Sequence, residues 1–189
     1  MKNTPNSQWL LRDALKPLFD KISSAEYSEN FGQGTVHVAP DEMGKVFDFL
    51  KTHPDYPMEF LMDVTAVDYL GSEWSERPNF TGREEKPESP TRFDVVYHFY
   101  SYSKNKRLRV ITTAGGENPE VLSCYQWWRA AHFPEREVWD MFGIHFKNHP
   151  NMRRLLLYDE FEGFPLRKDY ATDAEQPLME LRNPEKDND

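Results

Sequence analysis

The chain has 189 residues, of which 38% are hydrophobic and 14% aromatic, so the composition argues against disorder and predicts a single core. Asp and Glu outnumber Lys and Arg by 32 to 23, and the resulting net charge of -9 disfavours nonspecific binding to nucleic acid. The single cysteine, Cys124, excludes an internal disulfide framework, a thiolate zinc site and an iron–sulfur cluster held by this chain alone.

The N-terminal residues lack the apolar core of a secretory signal, and no stretch approaches the ~20 apolar residues that span a bilayer. A lone cysteine also fits a reducing compartment. We therefore expect a soluble, cytosolic chain that reaches a membrane only through partner proteins.

The first third of the chain predicts a helix, a strand and a second helix. At residues 7–22, leucine and isoleucine recur at helical spacing, although Pro17 should bend or split the helix. Residues 35–38 are typical of a short strand. The second helix is predicted to begin at Asp41, which can cap it, and to end before Pro54.

The middle of the chain predicts strands. Residues 60–69 are rich in β-formers, and residues 93–100 alternate between two sets of side chains. A turn-like stretch at 103–106 leads into another alternating run, so residues 92–113 are predicted to form an antiparallel hairpin. Residues 71–91 form a polar run with three prolines, which is long for a loop and indicates an insertion or a contact loop.

Two further helices are predicted to start at Pro119 and Pro134, and Gly143 should end the second. Beyond it, prolines are frequent and no regular spacing persists, so residues 145–189 are predicted to be extended. We expect an α+β fold. Residues 1–144 should form a two-layer domain, with a mixed sheet of about five strands and helices on one face, followed by the extended C-terminal segment.

This C-terminal segment is unusually apolar for a stretch with little regular structure. Its large apolar residues are Phe146, Met152, Leu155, Leu156, Leu157, Tyr158, Phe161, Phe164 and Leu166. Such side chains need a surface to bury against, and a partner subunit is the natural supplier. We therefore expect residues 145–189 to bind a partner.

Motifs of cofactor and catalytic sites are incomplete. Gly32 and Gly34 begin a dinucleotide fingerprint, but His37 stands where its third glycine belongs, and the chain has no P-loop. Cys124 falls on the apolar side of a predicted helix, which favours a buried, inert thiol over a nucleophile. The sequence therefore indicates no catalytic residue and no cofactor site of its own.

A metal site is one alternative, in which the chain would be a free-standing metal-dependent hydrolase. It would use His145 and His149 with Glu135 or Asp140. Histidines four residues apart share one face of a helix, but Pro150 and the extended character of this stretch remove that face. The spacing therefore disfavours a metal site.

Three short clusters, at residues 134–144, 149–156 and 163–170, combine charged residues with bulky apolar ones. In the first, Arg136 and Asp140 are four residues apart and are predicted to pair. The other two place adjacent basic residues beside leucines and aromatics, a composition typical of protein interfaces. Solvated charged faces are the alternative interpretation, which three clusters within forty residues weaken.

These clusters resemble the signature of the 30-kDa subunit of respiratory complex I, the proton-pumping NADH:quinone oxidoreductase. The matching residues are Glu135, Arg136, Glu137, Asp140, His149, Arg153 and Leu155. Gly163 with residues 165–170 matches the family's closing motif, residues 63–69 its central strand and residues 93–97 its hairpin. The resemblance covers the chain from residue 60 to residue 170, with peripheral departures such as Phe164.

The resemblance implies a structural subunit of the peripheral arm, on the cytoplasmic side of the inner membrane, that supports electron transfer from NADH to quinone. It implies that this chain binds no cofactor, whereas FMN, iron–sulfur clusters and quinone lie in partner subunits. The chief partner would be the large hydrogenase-like 49-kDa chain, beside neighbouring iron–sulfur subunits. A similar domain occurs in membrane-bound hydrogenase-type complexes, so the equivalent subunit of such a complex is the second alternative.

Ten residues are predicted to lie at the partner interface, as anchors of polar contacts rather than as catalytic groups. They are Glu135, Arg136, Glu137, Asp140, His149, Arg153, Arg154, Arg167, Lys168 and Asp169.

Overall fold

The computed structural model describes residues 7–31, 33–54, 57–71 and 91–177. Its helices are α1 (Ser7–Lys21), α2 (Met43–Thr52) and α3 (His132–Phe142). Its strands are β1 (Glu26–Asn30), β2 (Gln33–Val38), β3 (Phe60–Asp68), β4 (Phe93–Ser101), β5 (Lys106–Ala114), β6 (Glu120–Leu122) and β7 (His145–Lys147). None of the helices in these ranges is long and apolar enough to cross a membrane.

Five strands form one mixed sheet in the order β1–β2–β5–β4–β3. Strands β2 and β5 run parallel, and the other neighbours are antiparallel. The predicted hairpin is confirmed, because β4 and β5 pair along their whole lengths. The strands predicted at residues 35–38 and 60–69 are confirmed as β2 and β3. The predicted α+β class with a mixed sheet of five strands is therefore confirmed.

The core lies between the helices and one face of the sheet. Tyr97 and Phe99 of β4 are fully buried there, and Phe47 of α2 packs against both rings at centroid distances of 5.4 and 6.5 Å. Leu18 of α1 belongs to the same buried cluster. Because side chains alternate along a strand, intervening residues of β4 such as His98 point to the opposite face. The helices thus cover one side of the sheet.

The helix predicted from Pro119 is wrong. Glu120–Leu122 instead form β6, which pairs in parallel with β7 as a separate two-stranded sheet. The backbone N–H of Ser123 donates to the carbonyl of Lys147 at 2.9 Å and extends this pairing. The helical spacing of the sequence is overridden because a distant strand supplies the backbone hydrogen bonds.

The N-terminal elements differ from expectation in detail. Helix α1 continues through Pro17 as one element, and the buried Leu15 and Leu18 on either side hold it against the core. Asp41 lies in a short 3-10 turn before α2, and no side chain of the described residues caps that helix. Strand β1 has no counterpart among the predicted elements, since its sequence is polar and lacks β-branched residues.

Residues 148–177 contain neither helix nor strand and run as a series of turns beside α3 and the end of β3. Apart from Gly71 and Thr91, the predicted insertion at residues 71–91 lies outside the described residues, as do residues 178–189. The C-terminal segment therefore continues from the end of the domain onto the surface formed by α3.

Candidate assembly surface around α3

Asp140, in the last turn and a half of α3, is fully buried and joins the C-terminal segment to the domain. Its Oδ2 accepts the backbone N–H groups of Leu155, Leu156 and Leu157 at 3.0, 2.8 and 3.0 Å. Its Oδ1 accepts a hydrogen bond from Nη1 of Arg154 at 2.8 Å. One carboxylate thus fixes the conformation of a whole turn of the C-terminal segment.

The electrostatics of this contact keep Asp140 ionised. Burial raises the pKa of its carboxyl, but the backbone N–H groups of residues 155–157 and the guanidinium of Arg154 stabilise the anion more strongly. The pKa of Asp140 is therefore below its ordinary value. A carboxylate held in this state is a structural anion rather than a general acid at neutral pH.

Arg154 occupies the centre of an aromatic enclosure. Its Nη2 donates to the carbonyl of Phe161 at 2.7 Å, and its guanidinium carbon lies 5.8 Å from the ring centroid of Trp139. The same carbon lies 5.7 Å from the rings of Phe161 and Phe164. Cation–π contacts and hydrogen bonds therefore bind α3 to the turns that follow β7.

The predicted pair between Arg136 and Asp140 is wrong. Nε of Arg136 donates to the carbonyl of Arg153 at 3.1 Å, and its Nη2 donates to the carbonyl of Arg154 at 2.7 Å. Both Arg136 and Asp140 are buried, at 5% and 0% exposure, but no ion pair joins them in the described structure. The acceptor positions of Asp140 are filled by Arg154 and by backbone N–H groups instead.

Gly143 ends α3 in a left-handed conformation with φ of 71°. A Cβ atom at this position would lie 2.5 Å from Nη2 of Arg167 and 2.6 Å from the ring of Phe164. Nε of Arg167 donates to the carbonyl of Phe142 at 2.5 Å, and the N–H of Leu166 donates to the carbonyl of Met141 at 3.1 Å. The C-terminal segment thus satisfies carbonyls at the negative end of the helix dipole.

A second ionic contact ties the C-terminal segment to the sheet. Nη2 of Arg92 donates to Asp68 at 2.7 Å and to Asp169 at 2.6 Å, while the N–H of Lys168 donates to Asp68 at 2.9 Å. Hydrogen bonds to both carboxylates raise the pKa of Arg92. Burial raises the pKa of Asp68, but hydrogen bonds from Arg92 and from two backbone N–H groups lower this pKa by more than burial raises it. The net shift is therefore downward.

Glu135, at the start of α3, is fully buried, and no cation pairs with it in the described residues. Its Oε2 accepts the hydroxyl of Ser123 at 2.6 Å, and its Oε1 accepts the N–H of Cys124 at 2.7 Å. Burial raises the pKa of Glu135 to about 7, because these two hydrogen bonds only partly compensate for desolvation. Burial likewise raises the pKa of the Cys124 thiol, which disfavours a nucleophilic role.

The two histidines of the alternative metal site are held apart by different contacts. The ring of His149 stacks on that of His132 with centroids 5.1 Å apart, and its Nε2 lies 3.3 Å from the carbonyl oxygen of His132. His145, on β7, lies 3.5 Å from Glu120. Burial lowers the pKa of His149. Within the described ranges, no three His, Cys, Asp or Glu side chains are grouped to hold a metal ion.

The ten predicted residues thus fall into different environments. Glu135, Arg136, Asp140, Arg154 and Arg167 make contacts within the chain that organise α3 and the segment after it. Glu137 and Arg153 have exposed side chains, and neither side chain forms a hydrogen bond or ion pair in the part of the chain that the structure describes. Exposed apolar side chains lie on the same elements, with Phe133 at 59%, Leu156 at 63% and Leu166 at 54% exposure.

Asp68 and Arg92 were not predicted from the sequence as anchors of the C-terminal segment. Asp68 closes a strand of β-forming residues, and Arg92 lies directly before the next strand. Because these strands are antiparallel neighbours, the end of β3 lies beside the start of β4. Opposite charges at those two positions were the available signal for their pairing.

Comparisons with known proteins agree with this architecture. Residues 36–176 match the family model described as respiratory-chain NADH dehydrogenase, 30 Kd subunit. The C 2 subunit of NADH-quinone oxidoreductase from Rhizobium etli (strain CIAT 652) is 38% identical over 160 residues, which cover 79% of this chain and 76% of that protein. NADH-ubiquinone oxidoreductase subunit 9 of Reclinomonas americana is 36% identical over 173 residues, covering 90% of this chain and 75% of that protein.

Solved structures share the fold. The trypsin-resistant fragment (1-134) of Nqo5 has a TM-score of 0.57 and 25% identity, covering 77% of this chain and 98% of the fragment. A chain of the membrane-bound sulfane sulfur reductase, an archaeal respiratory membrane complex, has a TM-score of 0.66 at 20% identity and covers 87% of both chains, which shows the fold alone. With a family match over residues 36–176 and relatives above one-third identity, the chain belongs to the family of respiratory-chain NADH dehydrogenase 30-kDa subunits.

Proposed function

We propose that this chain is a structural subunit of the peripheral arm of a proton-translocating NADH:quinone oxidoreductase. It supports electron transfer from NADH to quinone without a catalytic residue or cofactor of its own. The observation that carries this proposal is the use of the buried and half-buried ionic groups. Asp140, Arg136, Arg154 and Arg167 bind the C-terminal segment to α3, so the chain builds a fixed surface from groups that catalysis would need free.

The surface so formed has the composition of a protein interface. Leu156, Leu166 and Phe133 are more than half exposed beside the exposed charges of Glu137 and Arg153. Exposed apolar side chains next to arginine are typical of interface anchors. Residues 145–189 and α3 would therefore form the partner-binding surface, while residues 1–144 supply the domain that supports it.

The partner that fits this role is the large hydrogenase-like 49-kDa chain, together with neighbouring iron–sulfur subunits. FMN, iron–sulfur clusters and quinone would be carried by those subunits. The chain would thus lie on the cytoplasmic side of the inner membrane, held there by its partners. The names of the two relatives support NADH as the donor over the hydrogenase-type alternative.

Affinity purification of the tagged, full-length chain from its native membranes tests this function. We expect the NADH-oxidising flavoprotein subunits and the iron–sulfur subunits to co-purify in stoichiometric amounts, as identified by mass spectrometry. The material should oxidise NADH with quinone. Recovery of a hydrogenase catalytic chain, or of this chain alone with a bound metal, would contradict the proposal.

A further inference from the structure

The face of the sheet opposite the helices contains a cleft, and none of the described residues of the C-terminal segment lines it. The cleft has a volume of about 410 Å³ and lies where β3 and β5 begin and β4 ends. Its lining includes Gln33, Met62, Asp63, His98, Arg107 and Arg109. The contacts of Asp68 with Lys168 and Arg92 lie at the other end of β3. We call this feature the β3–β5 cleft.

The strand register explains why charged groups converge in the β3–β5 cleft. His98 of β4 lies between Asp63 of β3 and Arg109 of β5 in one row across the sheet. Arg107 precedes Arg109 by two residues and therefore points to the same face. Among the described lining residues, two guanidinium groups thus face a single carboxylate, on a chain whose net charge is -9.

Arg109 is incompletely satisfied in this position. Its Nη2 donates to Oε1 of Gln33 at 3.3 Å, and its Nε is buried with no acceptor among the described residues. Neither Arg107 nor Arg109 forms an ion pair in the described chain, whereas Arg92 and Arg154 each bind a carboxylate. A buried guanidinium N–H without an acceptor is costly, so Arg109 favours an acceptor that enters from outside.

Exposed apolar side chains border the cleft. Phe60 and Met62 of β3 are 40% and 43% exposed, and Tyr102 is 60% exposed. The rings of Phe60 and Tyr102 lie 5.6 Å apart, and Tyr100 contacts Tyr102 at 5.2 Å. Aromatic residues, methionine and arginine are the residue types enriched in protein interfaces. Such a rim fits a polypeptide better than it fits a small anion.

We propose that the β3–β5 cleft docks an acidic segment of a neighbouring subunit. A carboxylate of that segment accepts hydrogen bonds from Arg109 and Arg107, and its flanking apolar side chains cover Phe60 and Met62. Charge complementarity argues for this occupant, since a basic cleft on an acidic chain attracts the opposite charge. This inference rests on the proposed function only in requiring a multi-subunit complex, and it places a second interface away from α3.

Photo-crosslinking in the assembled complex identifies the occupant. A photoreactive amino acid replaces Met62 in the tagged chain, and the same substitution at exposed Lys21 of α1 is the control. We expect Met62 to crosslink to an acidic segment of another subunit and Lys21 to give no such product. Crosslinks to residues 178–189 of this chain, to a neutral or basic segment, or to no protein in a fully assembled complex would refute the proposal.

Charge reversal provides an independent measurement. Arg107→Glu, at an exposed position, and Arg109→Glu should each increase dissociation of the complex at moderate salt by roughly tenfold, whereas Lys21→Glu should have no effect. Replacing the crosslinked carboxylate with lysine should restore association with Arg107→Glu. Unchanged salt resistance in both arginine variants would show that no acidic segment is bound. If the unmodified chain recovers no complex, the proposed function itself fails.

Discussion

Asp140 is the residue on which the conformation of the C-terminal segment most directly depends, because it accepts three consecutive backbone N–H groups and a guanidinium. In Asp140→Asn, an amide NH₂ would face donors and the charge of Arg154 would lose its partner. We predict a loss of about 3–5 kcal/mol in the free energy of unfolding, measured by urea denaturation of the isolated chain.

Glu137→Gln is the matched control, since Glu137 lies on the same helix with an exposed side chain. It should change stability by no more than about 0.5 kcal/mol. Hydrogen exchange adds a local readout. The N–H groups of residues 155–157 should be protected in the unmodified chain and exchange much faster in Asp140→Asn. Equal stability of the two variants would show that the carboxylate does not hold this turn.

Glu135 should make stability depend on pH. Its pKa rises from 4.5 unfolded to about 7 folded, so between these values the folded state binds more protons. Stability from this group is therefore fully present below pH 4.5 and is lost as pH rises through 7. Glu135→Gln should remove this dependence, which is of the order of 3 kcal/mol across the window. Urea midpoints measured from pH 5 to pH 8 test this.

The comparison of Glu135→Gln with the unmodified chain isolates this one group. His149 has a lowered pKa and acts in the opposite direction, losing stability as pH falls, but it is present in both proteins. Glutamine can still accept the N–H of Cys124 and donate to the hydroxyl of Ser123, so the fold should persist. Parallel stability curves for the two proteins would contradict a titrating Glu135.

At the scale of secondary-structure elements, the end of α3 depends on the absence of a side chain at Gly143. Gly143→Ala would place a Cβ against Arg167 and Phe164 in a left-handed backbone conformation. We predict a loss of about 2–4 kcal/mol in the free energy of unfolding, with faster hydrogen exchange at Leu166 and Arg167. Urea denaturation and hydrogen exchange measure the two effects.

Gly116→Ala separates backbone strain from side-chain collision. Gly116 also has a positive φ, of 83°, but beyond its chain neighbours no atom of the described residues lies within 4 Å of the position that an added Cβ would take. This variant should lose only about 1–2 kcal/mol and leave exchange near α3 unchanged. An equal loss in both alanine variants would mean that contact with Arg167 and Phe164 contributes nothing.

The alternation of side chains along the strands made most of the sheet predictable from the sequence. The elements that were not predicted, β6 and β1, form because of hydrogen bonds to other strands. Strands β3, β4 and β5 follow local side-chain patterns, and the pairing of β4 with β5 could be inferred from the hairpin. Residues 120–122 satisfy a helical pattern equally well, yet they pair with β7, a partner no local rule identifies. Strand β1 is polar and forms because β2 offers it an edge.

At the candidate site, too, local patterns could be predicted from the sequence but tertiary partners could not. Arg136 and Asp140 were identified by their residue type and spacing, but their partners were not, since helix geometry suggested a mutual pair. Their actual partners come from a segment 14 to 18 residues further along the chain. Irregular turns carry no periodic signal, so their contacts with α3 could not be derived from the sequence.

At the scale of the whole molecule, the proposed partner-binding surface of α3 and the C-terminal segment predicts different effects for substitutions of two arginines. Arg153→Ala removes an exposed side chain and should lower the amount of assembled complex several-fold while leaving the isolated chain stable. Arg167→Ala removes the contact with the end of α3, so it should lower both the amount of assembled complex and the stability of the isolated chain. Turnover per assembled complex should stay near normal in each. Native gels measure the amount of complex, and NADH:quinone activity in the same membranes measures its turnover.

The outcome distinguishes scaffolding from catalysis. Full assembly of Arg153→Ala with lost turnover would assign this surface a direct part in quinone reduction. Lys21→Glu, on the distant helix α1, serves as the control for nonspecific effects of surface charge. It should leave the amount of complex and its turnover unchanged.

The parallel pairing of β2 with β5 constrains the order of folding. The hydroxyl of Thr112 donates to the carbonyl of Val38, 74 residues earlier, so this contact closes a long loop, whereas the β4–β5 hairpin closes a short one. During synthesis the N-terminal strands leave the ribosome well before their neighbour in the sheet exists. Strand β2 cannot pair with β5 until β5 has been synthesised. We therefore expect the β4–β5 hairpin to form first and to serve as the template on which the sheet is completed.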